Sequence, residues 1–408
     1  MSARFHFRLA APLPNAARLG GRRAFQPQGT HPMFKVAHLT SVHRRNDTRI
    51  FIKQCRSLAA HGYNVTLVVA DGQGADHKDG VAIIDVGCVP GRLNRMLVTA
   101  RRVFDQAVAL DADIYHLHDP ELIPVGLKLK RLGKTVIFDS HEATHLQLLA
   151  KSYLGPVSRQ VLSLAFSLFE RYACSKFDGI VTATPFIRDM FLKINPFTVD
   201  VNNFPLSGEL DGATPWTAKR DQVCYVGGIS GIRGIRQLVQ ASASLQSPTR
   251  LALAGRFSEP AVEAEVKAQS GWSRVDDLGF LDRAGVRDVL ARSVAGMVTL
   301  LPAPNHLDSQ PIKMFEYMSS GIPVIASNFP LWREIVEGNK CGVCVDPLDP
   351  KAIAAAIDNM VRHPGIAMSM GENGRKAVLE KYNWDTQATR LTDFYGALAH
   401  GTQAITTI

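Results

Sequence analysis

The sequence predicts an α/β protein made of two doubly wound, Rossmann-like domains facing a central cleft. Three observations predict it. Short apolar runs alternate with helix-period segments along most of the chain, which is the pattern of a parallel sheet covered on both faces. The alternation pauses at a stretch containing Gly208, Gly212 and Pro215 and then restarts. Polar residues gather just past the ends of the apolar runs, where open parallel sheets bind ligands.

Residues 1–31 carry five arginines, no acids and no hydrophobic period, and read as a disordered or loosely ordered extension. An N-terminal domain is expected over 32–205. Its strands are 34–39, 64–70, 81–86, 114–118, 135–139 and 179–183. Its helices are 49–61, stopped by Gly62, then 92–110, 122–132, capped by Gly133, and 158–174. A linker over 206–219 follows. The second domain, 220–382, has strands at 223–226, 251–254, 275–279, 296–300, 323–326 and 343–345. Helices fall at 234–243, 261–270, 283–292, 311–320, 331–336 and 350–362. A last helix within 383–400 comes after the second domain looks complete, and 401–408 is a tail.

The 408 residues are 46% hydrophobic and 20% charged, enough for two cores. No run of eighteen apolar residues suggests a membrane span and no signal-peptide core stands out, so a cytoplasmic protein is expected. The six cysteines are scattered and imply no disulfide framework. The net charge of +9 is uneven: residues 1–205 hold 26 Lys and Arg against 16 acids, and residues 206–408 hold 20 against 21. The first half therefore meets something anionic. Its basic residues do not interleave with aromatics in any nucleic-acid motif, so nucleic acid is not an expected partner. Peripheral contact with the inner face of a membrane fits the same excess.

Five constellations carry candidate chemistry. Asp308-Ser-Gln-Pro-Ile-Lys-Met-Phe-Glu316 enters a short helix, with Pro311 at its first position and Asp308 or Ser309 as cap. Lys313 and Glu316 share one helix face, beside N–H groups that suit an anion. Val226-Gly-Gly-Ile-Ser-Gly-Ile-Arg-Gly234 links a strand to a helix. Gly227 and Gly228 admit close backbone approach there, and Arg233 adds charge. His116-Leu-His118 ends a strand, and both rings point to one side; His118 is placed on the cleft. Asp139-Ser-His-Glu142 ends the next strand, and Glu142 is placed against an acceptor hydroxyl. His43, Arg44, Arg45 and Asp47 follow the first strand as acceptor-side groups.

Together these motifs, over about residues 34–400, resemble the retaining glycosyltransferases of family 4 with the GT-B fold, of the bacterial surface-polysaccharide type. The resemblance implies that His118 contacts the donor sugar and that Arg233 replaces the family's phosphate-binding Lys. The family's phosphate-binding Arg falls on Gly228 and is missing, and Lys313 is placed to cover it. Asp308 and Glu316 match the two acids of the family, for sugar and ribose respectively. Ser309, Gln310, Pro311 and Ile312 surround the sugar and diphosphate. The last helix crosses back onto the first domain.

The implied reaction moves a sugar from a nucleotide diphosphate, UDP favoured over GDP, to a hydroxyl of a glycan or polyprenyl-linked glycan. His118, Arg233, Lys313 and Asp308 carry it. No Asp-x-Asp precedes the phosphate site, so no divalent metal and no cofactor beyond the nucleotide-sugar co-substrate is expected. The alternatives are a nucleotide-sugar 2-epimerase of the same fold and a non-catalytic nucleotide-sugar-binding partner in polysaccharide assembly.

Overall fold

A computed structural model describes residues 34–149, 155–210, 215–219 and 221–399. The expected extension and tail, and 211–214 of the expected linker, lie outside the described residues.

The first sheet has eight strands: β1 (Lys35–Leu39), β2 (Asn64–Val69), β3 (Asp76–Lys78), β4 (Val81–Asp85), β5 (Ile114–Leu117), β6 (Thr135–Ser140), β7 (Gly179–Thr182) and β8 (Thr198–Asp200). Their order is β3-β4-β2-β1-β5-β6-β7-β8, parallel except for β3. The second sheet has six: β9 (Gln222–Val226), β10 (Arg250–Ala254), β11 (Val275–Gly279), β12 (Ala295–Val298), β13 (Val324–Ser327) and β14 (Gly342–Val345). They run parallel in the order β11-β10-β9-β12-β13-β14. In each sheet the winding reverses once, between β1 and β5 and between β9 and β12. Loops leaving neighbouring strands diverge there and leave a crevice for a ligand.

Burial on both faces explains the short all-apolar strands: every residue of β12 and β13 is buried. On one face of the first sheet, the helices Ala100–Leu110, Ile123–Arg131 and Pro156–Cys174 share a core with Leu39, Leu117 and Phe138. On the other face lie a wide-turn helical stretch, Thr48–Cys55, its continuation Arg56–Ala60, and the last helix, Trp384–Ala399. Trp384 Nε1 donates to Ser57 Oγ at 2.9 Å, and the Gln387 amide oxygen accepts from the Asn202 N–H at 2.8 Å. No described helix is long and apolar enough to cross a membrane.

Five elements were not expected. The helices Thr144–Leu149 and Pro185–Phe191 are too short to show a period, although Thr184 caps the second by accepting from the Ile187 N–H. β3 is three exposed polar residues, and β8 is also only three long. Helix Pro364–Glu380 reads as broken because it holds Gly365, Gly371 and Gly374. A Cβ on Gly371 would lie 2.1 Å from the Gly321 carbonyl oxygen, so close helix packing demands that glycine.

Candidate functional site

A cavity of ≈ 1190 Å³ opens between the carboxyl ends of the two sheets. That is above the usual range for small-molecule sites and suits a large co-substrate with its acceptor. The second sheet's side is built at its winding reversal. Gly227 leaves β9 with φ +119°, and Gly234, φ +77°, passes so close to the strand beyond β12 that a Cβ would sit 1.9 Å from the Thr299 carbonyl oxygen. These glycines bring the backbone and Arg233 to the crevice. Arg233 Nη1 donates to the Gly228 carbonyl at 3.2 Å.

Gly227, Gly228, Arg233, Asp308, Ser309, Gln310, Pro311, Ile312, Lys313 and Glu316 all line the cavity, so the structure gathers every residue named from sequence in the second domain. The helix begins differently. Pro311 is the N-cap itself, with extended backbone, and Ile312 is the first helical residue. Neither Asp308 nor Ser309 caps it. Ser309 Oγ instead donates to the His306 carbonyl, and the Ser309 carbonyl accepts from Trp332 Nε1 at 2.7 Å. The approach to the helix is thus held by a buried indole.

Lys313 is not the solvated lysine of an exposed helix. Its Nζ is buried, lies 3.5 Å from the Tyr225 ring centroid and has no hydrogen-bond partner among the described residues. Burial, then the Arg233 guanidinium, hold the amine well below the ordinary lysine range. The Asn305 and Gln310 amide oxygens, also on the cavity wall, are buried without partners too. Two cations lie beside position 228, where the resemblance expects an arginine. Arg233 Nη1 lies 3.1 Å from where a Gly228 Cβ would be, and Lys313 Nζ 3.5 Å from where a Gly227 Cβ would be. Glu316 is engaged: its carboxylate accepts from Arg283 Nη1 at 2.7 Å, while Arg283 Nε reaches Glu209 at 2.8 Å.

On the first sheet's side the assignments need correction. His118 does not line the cavity; His141 does. The His118 N–H still bonds the Leu39 carbonyl, which continues the sheet and turns the ring inward. There it stacks on His116 at 4.7 Å and meets His38 Nδ1 at 2.8 Å. Burial takes its pKa down to about 3. His118 Nδ1, His141 Nε2 and Asp139 Oδ2 sit 3.3 Å apart in each pairing. Asp139 is buried, which raises a carboxyl pKa, yet Arg49 and the two imidazoles outweigh this and keep it ionised. Arg49 grips Asp139 with two bonds, 2.6 and 3.0 Å, and Gln54 adds a third at 2.8 Å. The two groups with metal-like spacing, His38/His116/His118 and His118/Asp139/His141, share His118, and the carboxylate of the second is already claimed by a guanidinium and an amide. That suits a hydrogen-bonded scaffold behind His141.

Asp47 and Glu142 line the cavity; His43, Arg44 and Arg45 do not. Asp47 also caps the helical stretch after it, accepting from the Arg49 and Ile50 N–H groups. Arg45 turns away to Asp71, at 2.7 and 2.9 Å, and to the Gly74 carbonyl. Arg44 is exposed. His43 Nδ1 meets Asp119 at 2.9 Å, and its ring lies 5.1 Å from that of His141. Burial alone would lower the His43 pKa, but the bond to Asp119 more than reverses it. Sequence reasoning missed His141, although its motif was in view, and Arg283, whose partners are 74 and 33 residues away. It also missed Phe280, 67% exposed on the cavity wall beneath the Arg256 guanidinium at 4.7 Å.

Two family descriptions match the chain: a glycosyl transferase 4-like domain over residues 50–201 and glycosyl transferases group 1 over residues 209–377. The chain belongs to the family 4 glycosyltransferases of GT-B fold. It is an enzyme of that class. A glycosyltransferase of Methanocaldococcus jannaschii is 25% identical over 303 residues, covering 69% of this chain and 75% of that one. Sucrose-phosphate synthase from Thermosynechococcus elongatus superposes with a TM-score of 0.72 at 19% identity, covering 90% of this glycosyltransferase and all of that chain. Anabaena HepE, solved with UDP and glucose, gives 0.69 at 13% identity, over 89% and 100%. These likenesses show the two-domain fold and its central cleft.

Proposed function

We propose that this glycosyltransferase moves a sugar from a UDP-sugar to a hydroxyl of a glycan or lipid-linked glycan, with the anomeric configuration retained. One observation carries the reading: a buried lysine amine without a hydrogen-bond partner among the described residues, beside Arg233, at the winding reversal of the second sheet. A bare buried amine is costly unless something anionic fills the space it faces. A diphosphate does so, and its charge restores the proton that burial removes. UDP is favoured over GDP because HepE holds UDP in the same fold.

In this reading Lys313 and Arg233 stabilise the charge that grows on the leaving diphosphate. Glu316 accepts from the ribose diol after exchanging Arg283 for it. Asp308, Gln310 and the backbone of Ser309 to Ile312 position the sugar. Phe280 and Arg256 give the base a flat platform. His141, held by Asp139, replaces His118 as the imidazole that faces the sugar, with Asp47 and Glu142 on the acceptor side. The departing phosphate takes the acceptor proton, so no divalent metal is required. The domains would divide the work at the expected boundaries, 32–205 for the acceptor and 220–382 for the donor.

Isothermal titration of UDP-glucose into wild type and Glu316→Gln tests the donor site. The variant is expected to bind about 1–3 kcal/mol more weakly, through loss of charged hydrogen bonds. Equal affinity would remove Glu316 from the ribose. Binding of GDP-mannose in place of every UDP-sugar would overturn the choice of base.

A further inference from the structure

Helix Pro156–Cys174 turns apolar side chains both to the core and to solvent. Its inner face packs Ala173 and Cys174 into the core beneath the first sheet. Its outer face carries Val157, Val161, Leu164, Leu168 and Tyr172, which are 59–73% exposed. Their spacing of four, three, four and four residues makes one continuous stripe. In the same helical layer, the stretch 92–99 exposes Leu93, Met96, Leu97 and Val98. Scattered exposed apolar residues need no explanation, but a stripe this long does.

The charge around it is one-sided. Segments 92–113, 120–134 and 156–178 form this layer and its turns, and hold eleven Lys and Arg against six acids. Of the acids, Asp105, Glu121, Asp111 and Asp178 are paired with Arg101, Arg95, Lys134 and Lys130, and Glu170 is buried. Arg102, Lys128, Arg131, Arg171 and Lys176 are exposed and meet no acid among the described residues. Arg171 and Lys176 flank the stripe at Tyr172.

We propose that this face, led by the outer stripe of helix Pro156–Cys174, seats the enzyme on an anionic lipid bilayer. The inference rests on the lipid-linked acceptor reading above and gives it a surface. An interfacial helix buries an apolar stripe among acyl chains while bases on its flanks meet anionic headgroups. A second copy fits less well, because a two-fold contact through this face would set bases against bases. The seat also leads to the cleft. Ser163 on the helix donates to the His145 carbonyl of helix Thr144–Leu149, and Leu146 of that short helix lines the cavity. A lipid-linked acceptor held at the stripe has one short helix to pass.

The test is co-sedimentation of the full chain with sonicated vesicles of phosphatidylcholine alone or with about a third phosphatidylglycerol, for wild type and the double variant L164E/L168E. Wild type is expected to bind the anionic vesicles at least ten-fold better than the neutral ones, and less in 0.5 M salt, as surface charge requires. The variant is expected to lose at least ten-fold in binding while keeping its melting temperature and its UDP-glucose affinity. The arginines of residues 1–31 also attract anionic lipid, so the variant decides the matter: equal binding by variant and wild type overturns the proposal. A wild-type dimer in sedimentation velocity that L164E/L168E dissolves, with no vesicle binding, also overturns it and assigns the stripe to self-association. Lost vesicle binding with intact UDP-glucose binding leaves the transferase reading standing. Absent UDP-glucose binding with vesicle binding intact does the reverse.

Discussion

The two walls of the cleft treat buried charge in opposite ways. On the first sheet's wall, Asp139 is fully buried and meets Arg49, Gln54, His118 and His141 within 3.3 Å. On the second, Lys313 is half-buried as a residue, but its amine is buried and meets only an aromatic face among the described residues. A satisfied buried charge holds its neighbours in one arrangement, whereas an unsatisfied one waits for a ligand. On the function proposed above, the first wall is scaffold with His141 as its working tip, and the second is a receptor for a polyanion.

The contrast breaks most readily at Asp139. Asp139→Asn leaves the buried Arg49 guanidinium without its counter-charge, and removing one partner of such a pair costs about 3–5 kcal/mol. Urea unfolding is expected to show that loss. A loss below about 1 kcal/mol would mean that Arg49 finds other acceptors and that the wall is not organised around Asp139.

Lys313→Met asks the opposite question. Removing a donor aimed at transition-state charge lowers turnover by about 10²–10³. Stability should hold or rise, since an unpartnered buried amine gives way to an apolar chain of similar length. Turnover with UDP-glucose and thermal unfolding read the two effects separately. A large drop in melting temperature with turnover retained would make Lys313 a structural residue and empty the phosphate site.

Much of this contrast could be read in the chain, and what could not has definite causes. The alternation of apolar runs gave both sheets because their strands are buried on both faces, leaving little ambiguity over Val223–Val226 or Val324–Ala326. The donor wall was legible for a local reason: its residues fall in two unbroken stretches, 226–234 and 308–316, so chain order places them together. The acceptor wall joins residues near 47, 141 and 184, and only folding decides which imidazole faces out. His118 and His141 both end strands in polar motifs. The difference is that His118 stays in register with β1, which the sequence does not encode locally. Helix spacing put Lys313 and Glu316 on one face but says nothing about the Tyr225 ring that the Lys313 amine meets. The glycines of Pro364–Glu380 hid a helix because they mark close packing as readily as a turn.

One buried carboxyl behind the first wall, outside the cavity lining, does not follow that wall's rule, and it sharpens the comparison with the smallest effect. Glu170 is only 4% exposed; one carboxylate oxygen has no partner, and the other lies 4.0 Å from His145 Nδ1. Burial pushes its pKa up from 4.5 to about 7, and burial likewise lowers that of His145, so the imidazole brings little charge to meet it. A raised acid favours the protonated form in the folded state. Its contribution is complete below pH 4.5, where folded and unfolded chains both hold the proton, and is lost as pH rises through about 7. The shift corresponds to roughly 3 kcal/mol lost by mildly alkaline pH. Glu170→Gln keeps the shape of the protonated acid and never ionises. Its melting temperature should therefore match wild type near pH 4.5 and exceed it at pH 8.5, the other titrating groups cancelling in the difference. A gap that stays constant across that range would show Glu170 ionised and paired in the folded protein, and the first wall would then hold no exception to its rule.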